Sequence, residues 1–134
     1  YKHNLKLQEK YKSMEQDVMF EKINCDDADY LLVAYGSSAR ICQKTVDMAR
    51  SKGKKVGLLR PKTLYPFPSA ELAKMSRRVK AMMAVELSAG QMVEDVRLAV
   101  NGKVPVYHYG MVGGKIHSPD DVLSEVEEKF IGGY

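Results

Sequence analysis

The sequence predicts an α/β domain built on a mostly parallel sheet, and three observations carry that reading. The first is the six-residue apolar run Tyr30-Leu31-Leu32-Val33-Ala34-Tyr35, which stops abruptly at Gly36-Ser37-Ser38. A strand apolar on both faces has to be buried on both faces, as the central strand of a parallel sheet is. The second is that an amphipathic helix and another apolar strand, Val56-Gly57-Leu58-Leu59, follow within one crossover's length of chain; such a βαβ unit is right-handed. The third is that the same alternation of apolar strand and striped helix continues to the end of the chain.

Taken in order, residues 1–17 are polar and lysine-rich, with Leu5, Leu7, Tyr11 and Met14 as sparse apolar points. They read as a connecting helix whose packing partner lies elsewhere. The chain starts at Tyr1 rather than Met, which suggests a piece of a longer polypeptide. Residues 18–134 then form the domain. Val18–Ile23 is short and partly alternating, an edge strand. Asn24, Asp26, Asp27 and Asp29 make a polar turn before the central strand. The helix after that strand is expected to be capped by Ser37 or Ser38, to bury Ile41, Cys42, Thr45, Val46 and Ala49 on one face, and to end at Gly53.

Val56–Leu59 is the second buried strand. Arg60-Pro61-Lys62-Thr63-Leu64-Tyr65-Pro66-Phe67-Pro68 follows it, and its three prolines forbid both helix and interior strand. This stiff loop leaves the end of a parallel strand, where open α/β sheets place ligands and partners. Two readings stand side by side: a recognition loop presenting Arg60, Tyr65 and Phe67, or a turn whose Leu64 and Phe67 pack over the sheet edge while Arg60 pairs with a carboxylate. Ser69 is placed to cap a short helix carrying Leu72 and Met75. Val79–Val85 is the third parallel strand, ending in Glu86. Gly90-Gln91 opens a helix with Met92, Val93, Val96, Ala99 and Val100 at helical spacing, stopped by Asn101-Gly102. Val104–Tyr109 is the last strand, with Pro105 suiting an edge. Ser118-Pro119-Asp120-Asp121 starts the final helix, whose buried stripe is Val122, Leu123, Val126 and Phe130.

At 134 residues, 45% hydrophobic and 28% charged, the chain is an ordinary globular domain without low-complexity tracts. No apolar run approaches the ~20 residues of a membrane span, and no signal-peptide pattern occurs. The net charge of +4 is modest, and its basic residues are not interleaved with aromatics as a nucleic-acid stacking platform needs. Cys25 and Cys42 stand alone, without a Cys-x-x-Cys or Cys/His cluster. That argues against a zinc or iron–sulfur site and fits free thiols in a reducing cytoplasm. Cys42 reads as a small core residue.

Gly36-Ser37-Ser38 after a strand invites a phosphate-binding reading, but it is not G-x-G-x-x-G, and no G-x-x-x-x-G-K-[ST] occurs. No nucleophile elbow is present and no His stands at metal-ligand spacing; His108 and His117 read as bystanders. Glu86 is the best single carboxylate, yet one carboxylate without a partner supports no reaction class.

Several pieces line up in order: Asp27-Ala28-Asp29-Tyr30 running into Val33–Arg40, Gly57–Pro61 with Pro66-Phe67-Pro68, and Val85-Glu86-Leu87-Ser88-Ala89-Gly90-Gln91-Met92. Together they resemble the transketolase C-terminal-like domain of the 2-oxoacid:ferredoxin oxidoreductases, most closely the 2-ketoisovalerate (3-methyl-2-oxobutanoate) type, from residue 5 to residue 130. The resemblance implies a three-layer α/β/α fold with a five-stranded sheet, order 1-3-2-4-5 and strand 1 antiparallel. It implies an enzyme that oxidatively decarboxylates a 2-oxoacid on thiamine diphosphate with magnesium, passes electrons through iron–sulfur clusters to ferredoxin, and releases acyl-CoA. The domain resembled follows a thiamine-fold domain in the same subunit, packs against neighbouring domains and subunits, and holds no cofactor itself. Family members often carry Gly-Arg-x-Gly-Gly-x-x-Pro after the last strand; Gly110-Met111-Val112-Gly113-Gly114-Lys115-Ile116-His117 lacks the Arg and that Pro, which puts an anion-binding role for this loop in doubt.

The expectation is therefore a packing and assembly domain of a cytoplasmic, multi-subunit oxidoreductase, inactive by itself, with no nucleic-acid or membrane partner. The alternatives are a free-standing flavodoxin-like module for a phosphorylated ligand at Gly36–Ser38, or a pure subunit-assembly domain. Interface or substrate-access candidates are Gly36, Ser37, Ser38, Arg60, Thr63, Tyr65, Phe67, Glu86 and Gln91. Arg60 has two prospective partners, Glu86 across the sheet edge or a carboxylate of an adjoining domain, and the second is favoured.

Overall fold

The computed structural model describes residues 19–64, 66–87, 90–110 and 118–131. The connecting helix expected over 1–17, Tyr65, and the 111–117 part of the glycine-bearing loop lie outside the described residues. The elements run β1 (Phe20–Ile23), β2 (Tyr30–Ala34), α1 (Gly36–Ser51), β3 (Val56–Pro61), α2 (Ser69–Met75), β4 (Ala81–Glu86), α3 (Gln91–Val100), β5 (Val106–Gly110) and α4 (Pro119–Val126), which continues as a π-turn over Glu127–Ile131.

The sheet has five strands in the order β1-β3-β2-β4-β5. β1 pairs antiparallel with β3, and every other pair is parallel. Leu32 lies between Leu58 and Met83, so β2 is the central strand that its apolar run requires. Strand residues alternate between faces, and each face has its own core. Leu32, Ala34, Leu58, Met83 and Val85 pack against Ala39, Cys42, Val46 and Ala49 of α1 and Val122, Leu123 and Val126 of α4. Leu31, Val33, Leu59, Met82 and Ala84 pack against Leu72 and Met75 of α2 and Met92, Val93, Val96 and Val100 of α3. The architecture is three-layered, with α1 and α4 on one face of the sheet and α2 and α3 on the other.

Several local contacts fix this arrangement. Phe130 stacks on Tyr30 with ring centroids 4.9 Å apart and planes 9° from parallel. Thr45 Oγ1 donates to the Pro119 carbonyl at 3.1 Å, joining α1 to α4. Cys42 is fully buried, and burial pushes its thiol up to about 12, so it serves as a core residue. Ser118 accepts from the Asp121 N–H while the Asp121 carboxylate accepts from the Ser118 N–H, a capping box with Pro119 just inside.

Three local expectations need correcting. Ser37 and Ser38 do not cap α1: Tyr35 occupies the cap in extended conformation and no side chain bonds the free amides. Gly36 takes φ +60° at the turn, a conformation a Cβ resists, so the helix begins early and both serines fall inside its first turn. Ser69 is likewise the first residue of α2, with Pro68 at the cap. β4 and β5 start two residues later than their apolar runs, because Val79 and Val104 pack in the loops below the sheet.

Candidate functional site at the C-terminal edge of the sheet

β2, β3 and β4 are parallel, so their C-terminal ends deliver Gly36, Arg60 and Glu86 to one edge, as the strand pattern predicts. The loops leaving these strands form a crevice of the kind open α/β sheets present to ligands.

Glu86, the last residue of β4, is completely buried. It does not meet Arg60. Its Oε1 accepts the Met92 N–H at 2.6 Å and its Oε2 the Val93 N–H at 3.1 Å. The carboxylate thus satisfies amides in the first turn of α3 that no carbonyl of the helix can reach, and its charge suits the positive end of the helix. Gly90 stands at the helix cap with φ +104°, and a Cβ there would lie 3.5 Å from His108 Cε1. His108 approaches from β5: its Nε2 stands 3.3 Å from Glu86 Oε2. That nitrogen is enclosed and makes no hydrogen bond, so the approach is close but off the line of one. His108 therefore belongs to the constellation rather than standing by. The signal lies in the strand register. Ala84 pairs with His108 and Glu86 with Gly110, which puts residues 86 and 108 on one face and two residues out of step.

The proline-rich loop divides its side chains between the inside and the outside. Thr63 ties the loop to the chain just before β1 and to itself, accepting from the Met19 N–H at 3.2 Å and donating to the Pro66 carbonyl at 2.9 Å. Phe67 is partly buried against the core that Leu72 and Met75 of α2 share, the place the second reading of the loop gives it. Leu64 points the other way and is 48% exposed, as are Met19 at 55% and Leu87 at 47% on neighbouring loops. Arg60 forms no hydrogen bond or ion pair among the described residues, and Lys62 makes only a 3.8 Å approach to Glu21. Gln91 is the exposed first residue of α3.

Two small open clefts result. One, about 380 Å³, is lined by Tyr35, Gly36, Arg60, Pro61, Lys62 and Leu64. The other, about 150 Å³, is lined by Tyr35, Gly36, Ser37, Ser38 and Leu87. They meet along Tyr35 and Gly36. No group of three His, Cys, Asp or Glu side chains able to hold a metal occurs among the described residues. No helix among them is long and apolar enough to cross a membrane.

Comparisons with known proteins place this geometry. In sequence, the chain is 41% identical over 126 residues to ketoisovalerate oxidoreductase subunit VorB of Methanothermobacter marburgensis, a match covering 93% of this chain and 36% of that one. It is 34% identical over 101 residues to 2-oxoglutarate synthase subunit KorA of the same organism, covering 75% of this chain and 27% of that one. The chain thus spans about a third of the length of the curated relatives it matches. In structure, it superposes on 2-oxoglutarate:ferredoxin oxidoreductase from Magnetococcus marinus with a TM-score of 0.81 at 22% identity, covering 95% of this chain and 23% of that one. It also matches a split-gene transketolase, an inactive β4 tetramer, with a TM-score of 0.69 at 16% identity over 82% of this chain and 40% of that one. The fold is therefore transketolase-like. The model of the pyruvate:ferredoxin oxidoreductase core domain II matches residues 28–122, from the turn before β2 into α4, and the chain belongs to that family.

Proposed function

We propose that the chain is the transketolase C-terminal-like domain of a cytoplasmic, multi-subunit 2-oxoacid:ferredoxin oxidoreductase of the ketoisovalerate type, and that it acts there in packing and assembly. The observation that carries the reading is the 41% identity to a ketoisovalerate oxidoreductase subunit over 93% of the chain. The whole enzyme would use thiamine diphosphate with magnesium, iron–sulfur clusters and CoA to decarboxylate a branched-chain 2-oxoacid and reduce ferredoxin. A thiamine-fold domain of the same subunit would precede residues 1–17.

The C-terminal edge of the sheet is the face that supports this role. Met19, Leu64 and Leu87 leave apolar side chains about half exposed around it, and the relatives carry some two thirds of their length outside the region matched. Leu64 sits on a loop stiffened by Pro61, Pro66 and Pro68, so little entropy is lost when a neighbour covers it.

The test is to produce the chain within its oxidoreductase carrying Leu64→Asp and Leu87→Asp together. The melting temperature of the chain should stay within a few degrees, because both side chains already face water, while subunit content and 3-methyl-2-oxobutanoate-dependent ferredoxin reduction fall together. A variant that assembles fully and keeps full activity would remove the assembly role. Faster turnover of 2-oxoglutarate than of 3-methyl-2-oxobutanoate by the unaltered enzyme would remove the substrate assignment.

A further inference from the structure

We propose that the head of α1 is a binding site for a small phosphate-bearing anion, with the first-turn amides and the Ser38 hydroxyl as donors and Arg60 as counter-charge. Three helix starts show why α1 is the open one. α4 is closed by its own capping box, and the first turn of α3 is occupied by the Glu86 carboxylate. α1, sixteen residues long, has no side-chain cap and no acidic residue in its first turn. Its leading amides have no partner within the helix, and its aligned dipole favours negative charge there.

Ser38 supplies an independent observation. The residue is 2% exposed, yet its hydroxyl has no hydrogen-bond partner among the described residues. A buried hydroxyl without a partner is unfavourable by itself. The only fully enclosed side-chain polar atom lacking a partner among the described residues is His108 Nε2, so Ser38 Oγ keeps an opening. The cleft that Ser38 lines with Tyr35, Gly36, Ser37 and Leu87 provides it.

Charge comes from the adjoining cleft, where Arg60 and Lys62 share the Tyr35–Gly36 wall. Arg60 lacks an anionic partner among the described residues, and a guanidinium fork matches two phosphate oxygens at once. Amides, hydroxyl and guanidinium together offer more donors than a carboxylate accepts in one plane. A tetrahedral phosphate accepts from several directions, and Tyr35 and Leu64 leave an apolar wall for the organic part of an ester. The inference stands apart from the assembly reading: it concerns the chain without partners, and its failure leaves that reading untouched.

Inorganic pyrophosphate titrated into the 134-residue chain, followed by backbone amide resonances, tests it. Saturable shifts confined to the amides of Tyr35–Ala39 and, read beside them, the Arg60 Nε–H are expected. Arg60→Gln should weaken the affinity by about tenfold, and Lys103→Gln, an exposed cation at the other end of the sheet, should leave it unchanged. Ser38→Ala should weaken it too if its melting curve shows it folded; Arg60→Gln, at a partly buried site without a hydrogen bond to lose among the described residues, carries the test if it does not. Absence of saturation, equal loss in Lys103→Gln, or shifts centred on Lys52–Lys55 would overturn the proposal. Acetate binding as tightly as pyrophosphate would overturn it as well, since a carboxylate of an adjoining domain would then be the better partner for Arg60.

Discussion

At the N-terminal edge of the parallel strands Arg50 is engaged on all three guanidinium nitrogens. It donates to the Val56 carbonyl at 3.1 Å, to Asp27 Oδ2 at 3.0 Å and to the Asn24 carbonyl at 2.6 Å. Lys52 and Lys54 both reach Glu127, and Arg78 donates to the Asp26 carbonyl. At the opposite edge Arg60 has no such partner among the described residues, two clefts lie there, and Leu64 and Leu87 are about half exposed. The same residue type is a structural clamp at one edge and, among the described residues, a charge without an ion pair at the other. Side chains of this chain close the first edge; among the described residues none closes the second in the same way. Arginine identity alone says nothing about role, and the backbone carbonyls within reach decide it.

The largest effect expected from this contrast is at Arg50. Arg50→Ala removes charge-assisted bonds to two backbone carbonyls and leaves the Val56 carbonyl at the start of β3 without that donor. A loss of about 2–3 kcal/mol is expected, measured as a lower urea midpoint at unchanged slope. A loss below about 0.5 kcal/mol, the range of ordinary surface changes, would break the idea that this edge is clamped by its own chain.

How much of this the sequence discloses depends on the distance over which residues act. The central strand was legible because Tyr30–Ala34 is apolar on both faces, a local pattern with one burial consequence. The strand order around it, with Leu32 between Leu58 and Met83, follows from the crossover rule together with the family resemblance. The capping box at Ser118 was legible for the same local reason. Caps at Ser37 and Ser69 were misplaced because the positive φ of Gly36 and the fixed ring of Pro68 set where each helix begins, and neither is a property of the serine. Glu86 and His108 were seen separately but not together; only the β4–β5 register brings them within 3.3 Å. The three carbonyl and carboxylate acceptors of Arg50 come from the β1–β2 turn and the start of β3, which no periodicity reports.

A smaller effect appears on acidification. The Arg50 guanidinium, first through its hydrogen bond and also through its charge, holds the Asp27 carboxyl below its ordinary value. A carboxyl depressed in the folded state stabilises the fold fully above its unfolded value, near 3.8, and that stabilisation is lost as pH falls through the lower folded value. The gap in thermal midpoint between the chain and Asp27→Asn should therefore be widest above that pH and close below it. A gap that persists unchanged into acid would assign the role of Asp27 to shape rather than charge.

The smallest effect is the sharpest test of the contrast, at Arg60. The residue lies near the end of β3 opposite Glu21 of β1, yet neither that carboxylate nor Glu86 holds its guanidinium; Lys62 approaches Glu21 and the α3 amides hold Glu86. Arg60→Ala in the chain by itself should thus remove no bond, only the packing of the aliphatic stem along the cleft wall. The stability should change by no more than a surface substitution changes it, about 0.5 kcal/mol or less, and the melting temperature should barely move. It should move slightly upward if anything, because Lys62 lines the same cleft and repels it. Salt sharpens the reading. Repulsion between two solvent-accessible cations is screened at high ionic strength, so any gain from Arg60→Ala should shrink as salt is added, whereas a stem-packing loss should not. A loss on the scale expected for Arg50→Ala would mean that Arg60 is a clamp after all, and the two edges would no longer differ in kind.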